Sequence, residues 1–437
     1  MTFTVIDLNI LRNQPAIVRA AIRNKGATVD LDMLIELDQQ HVALRREVEE
    51  IRAERNRLAS SMKGGKPDPS AIDRARALRE ELAKLEITLE EKKQAFEALY
   101  KKVPNIPTAD TPIGHSEEEN HVMHEWGDRR DFGFKPRNHA EIALFHGWID
   151  KERAAKVTGS RFAYLKGDLV KLQFALIAFV FDRLTDEAFI ARIVADHGLP
   201  ISTKPFLPVL PPYMIRTPIY DAMDRLEPVE ERYKIEGQET WLQGSAEHVL
   251  GSMHADETFD EQDLPVRYLG YATSFRSEAG AAGKDMEGII RLHQFDKLEL
   301  ESFSTRDTSH DEHLLLCVIQ ERLMQLLAIP YRKLQKCTFD IGKPNAKGSD
   351  IEAWLPGQGK YRETHTADYM TDYQARRLNT RVRRIGGAME FIHTNDATAF
   401  ACGRTLVAII ENYQNEDMSV NIPSELQPYM GARTRIG

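Results

Sequence analysis

Twice near its amino terminus the chain places residues in alternating steps of three and four. The first series is Leu34, Leu37, His41, Leu44, Val48, Ile51, Arg55, Leu58 and Met62; the second is Ala71, Ala75, Leu78, Leu82, Leu85, Leu89, Lys92, Phe96 and Leu99. This is heptad a/d spacing, which keeps one stripe of a helix against a partner. Between the two series lies Gly64-Gly65-Lys66-Pro67-Asp68-Pro69, whose glycines and prolines end one helix and permit the chain to reverse. Two helices of about 30 residues, rising about 1.5 Å per residue, give an antiparallel hairpin about 45 to 50 Å long. Such a hairpin cannot lie wholly against a compact domain, so the spacing predicts a projecting arm.

Charge along this arm is uneven. Between Arg45 and Glu80 there are ten Lys/Arg against seven Asp/Glu, whereas the whole chain has 58 against 67 and a net charge of −9. A mildly basic tip on an acidic protein can attract a phosphate backbone while the body repels nonspecific RNA. Coiled-coil faces are commonly charged simply because they are solvated, so this segment alone leaves both explanations open. The acidic balance speaks against nonspecific polyanion binding by the whole surface, and no DNA partner is expected.

At 437 residues with 42% hydrophobic and 29% charged side chains, the chain has the composition of an ordinary globular protein of two or more domains. Its three cysteines, Cys317, Cys337 and Cys402, are too few and scattered for a disulfide framework or a thiolate zinc site, so reduced thiols are expected and no structural zinc. The longest apolar run, Phe174 to Phe181, is far short of the ~20 residues that cross a bilayer. Acidic and polar residues within the first ten positions leave no visible export signal, so the expected location is the cytoplasm, away from membranes. Residues 103–108 (VPNIPT) and the acidic run Ser116 to Asn120 look like a linker. They divide the chain into an arm domain, 1–108, and an α+β body, 109–437.

Two stretches of the body are hard to explain as packing. In Ile290 to Glu299, alternation predicts a strand with Arg291, His293, Phe295, Lys297 and Glu299 on one face. Opposite a preceding strand carrying Arg276 and Glu278, across the glycine-punctuated segment Ala281 to Gly288, this would make a surface of fixed guanidinium groups and a flat ring. Arginine suits phosphate and phenylalanine suits a base, although a solvated hairpin of alternating charge would have the same pattern. Further on, Gly403-Arg404 opens an apolar helix running to Gln414. An arginine there is costly unless it meets an anion, which makes Arg404 a phosphate clamp or one half of an ion pair.

Together these residues resemble the class II aminoacyl-tRNA synthetases, and within them the seryl-tRNA synthetase family, over almost the whole chain. Ile6-Asp7-Leu8-Asn9 with the long hairpin is similar to the family's tRNA-binding domain, and Val209-Leu210-Pro211-Pro212 to motif 1 at its homodimer interface. Phe275 to Glu299 resembles motif 2 and Gly403 to Gln414 motif 3; residues 350–358 (DIEAWLPGQ) and 374–379 (QARRLN) are nearly verbatim family segments. The resemblance implies an antiparallel catalytic sheet flanked by helices, not a Rossmann sheet, and no GxxxxGK[ST] loop occurs.

It also implies roles. Arg276 and Arg404 would be catalytic and hold ATP phosphates, Glu278 would contact the adenine, Phe295 would stack with Arg291 against it, and Leu292 would pack beside the nucleotide. Ser277 and the run Glu363-Thr364-His365-Thr366 would complete the ATP site, with Glu363 and Thr366 holding Mg2+. Serine would be read by Ser245, Ala246 and Glu247, by Arg276, by Glu299 at its ammonium and by Thr398 at its hydroxyl. Histidines 293 and 365 read as structural or positioning groups. The expected reaction activates L-serine with ATP to seryl-adenylate and transfers it to the 3′ end of tRNA-Ser, without a covalent enzyme intermediate.

The chain departs from the family around the amino-acid pocket. Ser245 stands where threonine is usual, Thr364 to Tyr369 reads THTADY where ISSCSN is usual, and Asp396-Ala397 replaces Asn-Gly. These departures motivate an alternative, an adenylating paralogue that loads another amino acid or acceptor. A noncatalytic RNA-binding scaffold is the remaining reading; the retained charged residues argue against it.

Overall fold

The computed structural model describes residues 4–62, 68–279 and 288–437. The expected reversal at Gly64 to Pro67 and most of the expected loop from Ala281 to Gly288 fall outside the described residues. The chain separates into two compact units, Met1–Ile106 and Pro107–Gly437.

In the first unit, short helices Leu8–Asn13 and Pro15–Asn24 precede α1 (Leu31–Ser61) and α2 (Pro69–Tyr100). Both long helices begin at an aspartate. Asp30 accepts from the amide of Met33 and Asp68 from that of Ser70, and Pro69 occupies the first turn, where its missing N–H costs nothing. The heptad stripe is buried as the spacing requires: Val48, Ile51, Leu78 and Leu82 form a cluster flanked by Leu58, Leu85 and Leu89. Each such leucine contributes about 1.5 to 3 kcal/mol when fully buried. Arg52 meets Glu86 at 2.6 Å and Arg74 meets Glu54 at 2.8 Å, which fixes the antiparallel sense. These pairs are exposed and contribute little to stability.

The second unit is α+β. Its main sheet has eight strands: β1 (His121–Trp126), β2 (Leu207–Val209), β3 (Val266–Phe275), β4 (Gln294–Ser304), β5 (Tyr331–Gln335), β6 (Lys347–Leu355), β7 (Lys360–Thr371) and β8 (His393–Ala401). Their spatial order is β1-β5-β6-β7-β8-β4-β3-β2, antiparallel at every pairing except β2 with β3. Helices α3 (Asp168–Leu184), α4 (Ser309–Leu326) and α5 (Cys402–Asn412) contribute to one core with Leu298, Leu300, Ile351, Ala353, Ala367, Ala397 and Ala399. Because side chains alternate along a strand, the intervening residues point to the opposite face. Those are Lys297, Glu299, Glu301, Asp350, Glu352, Thr366, Asp368, Asp396 and Thr398, and that face carries the site.

One strand starts later than its alternation suggests. β4 begins at Gln294, not Ile290, so Arg291 and His293 precede it, while Arg276 and Glu278 lie beyond the end of β3. The ladder continues only loosely: the Arg276 amide donates to the His293 carbonyl at 2.9 Å, and the His293 amide turns away to the Arg161 carbonyl at 3.0 Å.

Candidate active site

Two irregularities in the sheet aim the polar side chains. Opposite β6, the register skips Thr364, so Glu352 faces Glu363 and Ile351 faces His365; opposite β4, it shifts between Thr398 and Phe400. Such bulges re-aim side chains where they interrupt a strand. The first one brings Glu363 and Thr366 into the same cavity although they are three residues apart. Gln320, buried on α4, ties the two strands from beneath by donating to the carbonyls of Thr366 at 2.7 Å and Thr398 at 2.9 Å.

Ten of the residues singled out in the sequence line one cavity of about 270 Å³: Arg276, Glu278, Arg291, Leu292, Phe295, Glu363, Thr364, Thr366, Thr398 and Arg404. Arg276 donates through Nε to the Gly244 carbonyl at 2.9 Å, and its guanidinium lies 5.4 Å from the Phe295 ring centroid. Arg291 is paired with Glu278, so the guanidinium over Phe295 is that of Arg276. Arg404 enters from the first turn of α5, donating to the Glu363 carbonyl at 2.8 Å and standing 3.2 Å from its carboxylate. Just before it, Gly403 packs closely under Ile289, where a Cβ would stand 3.3 Å from the Ile289 carbonyl. Burial alone would push Glu363 up, but Arg404, Lys336, Lys297 and Arg276 hold it below its ordinary value.

A second cavity of about 570 Å³ shares Arg276, Lys297, Glu363 and Thr366 with the first and adds Glu247, Asp350 and Asp368. Beneath it, Glu299 accepts from Ser245 Oγ at 2.5 Å and pairs with Lys297. Glu247 stands 3.1 Å from Arg225, which is 3.5 Å from Asp396. Strand pairing sets Asp368, Asp396 and Glu301 side by side, and Thr398 opposite Glu299. Both oxygens of Glu301 are buried without a hydrogen-bond partner. Its carboxyl is pushed well up by burial and by Asp396, Glu247 and Glu299. Glu247 goes the other way: Arg225 draws it well below its ordinary value despite burial. The acids here are therefore pushed in opposite directions, Glu247 toward the charged form and Glu301 toward the neutral one.

Five expected residues stand outside both cavities: Ser245 and Glu299, buried and bonded to each other, and Ser277, Ala246 and His365. Ser277 turns its hydroxyl to the Glu230 carbonyl, Ala246 is buried in a small apolar cluster with Leu250 and Tyr268, and His365 lies in the core with its ring 5.3 Å from Phe400. Burial pushes the His365 imidazole down to about 3, so it is neutral there. His293 donates from Nδ1 to the Arg276 carbonyl at 3.0 Å, a positioning contact. Lys297 and Arg225 were given no role from the sequence. Lys297 stands on the alternating face named in the sequence, between Phe295 and Glu299, which is the signal for its role; Arg225 sits in an irregular turn and carries no local signal. For a divalent ion, Glu363 and Thr366 offer a carboxylate and a hydroxyl, the hard oxygen donors that Mg2+ takes alongside water and phosphate.

An antiparallel sheet backed by helices, with arginines from a strand end and from a helix start meeting over one polar cavity, is the core of a class II aminoacyl-tRNA synthetase. Residues 230–413 match the family model described as tRNA synthetase class II core domain (G, H, P, S and T). Residues 5–107 match the one described as Seryl-tRNA synthetase N-terminal domain. Serine--tRNA ligase of Dictyoglomus turgidum is 38% identical over 435 residues, covering 98% of each chain, and that of Nitratidesulfovibrio vulgaris is 38% identical over 438 residues, covering 99% of each. The crystal structure of seryl-tRNA synthetase from Pyrococcus horikoshii complexed with ATP is similar at a TM-score of 0.88, with 36% identity and 99% of each chain covered. The chain belongs to the seryl-tRNA synthetase family and is an ATP-dependent aminoacyl-tRNA ligase.

Proposed function

We propose that the chain activates L-serine with ATP and transfers the seryl group to tRNA-Ser, with the smaller cavity taking the nucleotide and the hydroxyl end of serine and the larger one its ammonium group. The observation that carries this reading is the convergence of Arg276 and Arg404, with Glu363, on one cavity that opens into an acid-lined neighbour. Serine's carboxylate attacks the α-phosphate in line and pyrophosphate leaves; a ribose hydroxyl at the tRNA 3′ end then attacks the adenylate carbonyl, breaking the acyl–phosphate bond and releasing AMP. Arg276 and Arg404 neutralise phosphate charge and hold the triphosphate in line, so the chain needs no nucleophile of its own. Arg404 exchanges its Glu363 contact for phosphate, and Phe295 offers a stacking face to the base. Mg2+, held through Glu363 and Thr366, supplies charge neutralisation when bound. Glu247 and Glu299 take the ammonium group, with Ser245 supporting Glu299, and Thr398 takes the substrate hydroxyl.

The arm of the first unit is the proposed contact with tRNA-Ser, in keeping with its basic tip. A homodimer through motif 1 is supported by the exposure of Leu207, Leu210, Tyr213 and Met214 at and beside the edge strand β2. We place the protein in the cytoplasm; its three cysteines are free and buried. Among the described residues no helix is long and apolar enough to cross a membrane.

The test is amino-acid-dependent ATP–pyrophosphate exchange across all twenty amino acids, followed by charging of tRNA-Ser. Serine should give the highest kcat/KM by at least ~100-fold, because a site built to bond a hydroxyl rejects analogues that lack it. Faster exchange with another amino acid would replace this reading with that of the adenylating paralogue.

A further inference from the structure

Arg225 belongs to no motif, yet its guanidinium lies behind the wall of the larger cavity with 14% of the side chain exposed. Its Nε stands 3.1 Å from a Glu247 oxygen, and one Nη stands 3.5 Å from Asp396 and donates to Asn345 Oδ1 at 3.4 Å. The backbone that carries it is firmly held. Asp224, immediately before, has φ of 58°. Its carboxylate is held by Lys343 at 2.8 Å and the Tyr373 hydroxyl at 3.0 Å. The Arg225 carbonyl accepts from Arg232 Nε at 3.0 Å. Across from it, Gly342 leaves room: a Cβ there would stand 3.3 Å from the guanidinium.

The surroundings explain why such a cation is needed. Glu247, Glu299, Glu301, Asp368 and Asp396 lie close enough to act on one another, and Lys297 is committed to Glu299. His248, 3.4 Å from Glu247, is pushed by burial down to about 4 and so carries no charge near neutrality. Of the two acids that Arg225 touches, Glu247 lines the cavity.

We propose that Arg225 is a positioning residue of the amino-acid site, clamping Glu247 from behind so that this carboxylate, and not an acidic neighbour, is the one presented to the substrate's ammonium group. The inference rests on Glu247 reading that ammonium, as proposed above. The charge pattern agrees: Glu247 is held low, while Asp396 is pushed well up by burial and by Glu247 and Asp368. Arg225 reaches the substrate only through Glu247, so its loss should weaken amino-acid binding and spare the nucleotide.

The test is pyrophosphate exchange by the full chain, with KM for serine and for ATP measured separately and melting temperature recorded, for Arg225→Met, Arg225→Lys and Glu247→Gln. Arg225→Met should raise KM for serine about ten-fold or more and leave KM for ATP within about two-fold. Arg225→Lys, which restores the charge without the fork, should bring KM for serine back to within about three-fold of the parent. Should the methionine variant not fold, Arg225→Gln takes its place, with an expected rise of about five-fold. A serine KM that stays put in the folded variant, rises in step with that for ATP, or is not improved by lysine overturns the proposal. Glu247→Gln separates the two failures. If it leaves KM for serine unchanged, the role of Glu247 falls and that of Arg225 with it; if it raises KM while the Arg225 variants do not, the role of Arg225 falls alone.

Discussion

Thr398 stands opposite Glu299 in the ladder, almost fully buried, with its place on the wall of the smaller cavity. Thr398→Ala removes its hydroxyl and leaves the nucleotide contacts in place. KM for serine in pyrophosphate exchange should rise by about ten-fold or more, with ATP affinity by calorimetry within about two-fold; equal loss of both would contradict the assignment. Glu301 makes a prediction about pH. Its folded-state pKa is raised, so its contribution to stability is complete below the unfolded value of 4.5 and is lost as pH rises toward the folded one. Glu301→Gln removes that loss. Relative to the parent the variant should gain stability between pH 5 and pH 8, by at most about 1.4 kcal/mol per pH unit, measured as urea midpoints at the two pH values. At this scale the motif arginines, Phe295 and Thr398 were legible because residue type and spacing both point to phosphate, base and hydroxyl. His365 was not, because the skipped register at Thr364 breaks alternation and sends its ring to the core. Arg225 was not, because its partners lie far away in the chain.

Among the elements, the arm was the most legible, since a heptad stripe is a local pattern that needs no knowledge of the rest of the fold. The start of β4 was not, because residues 291 to 293 satisfy the same alternation while the Arg291 side chain turns to Glu278 and the His293 amide to the Arg161 carbonyl instead of the ladder. The helix α4 shows how an element outside the cavity governs it. Gln320 donates to carbonyls on two bulged strands, and replacing it with leucine removes both buried bonds. Gln320→Leu should cost about 2 to 4 kcal/mol in chemical unfolding. It should also lower kcat for pyrophosphate exchange, since Thr366 and Thr398 lose their common support. Full activity in a folded Gln320→Leu protein would show that the bulges hold their geometry unaided.

In the whole molecule, chemistry is assembled from segments that the chain order keeps apart. The spatial order β1-β5-β6-β7-β8-β4-β3-β2 brings the end of β3, the start of β4, the middle of β7 and the helix after β8 to one place. No periodicity or composition in the sequence encodes that order, which is why the site was legible as a set of motifs and not as a geometry. The central claim is that Arg276 and Arg404 act on the same triphosphate. It is tested most directly by a double-mutant cycle on kcat/KM for ATP in serine-dependent pyrophosphate exchange, using Arg276→Ala, Arg404→Ala and the double variant. Two guanidinium groups that share a ligand should show a coupling of about 1 to 3 kcal/mol, the double variant losing less than the combined single losses. Additive losses within about 0.3 kcal/mol, or ATP kinetics unchanged in either single variant, would contradict a shared triphosphate site.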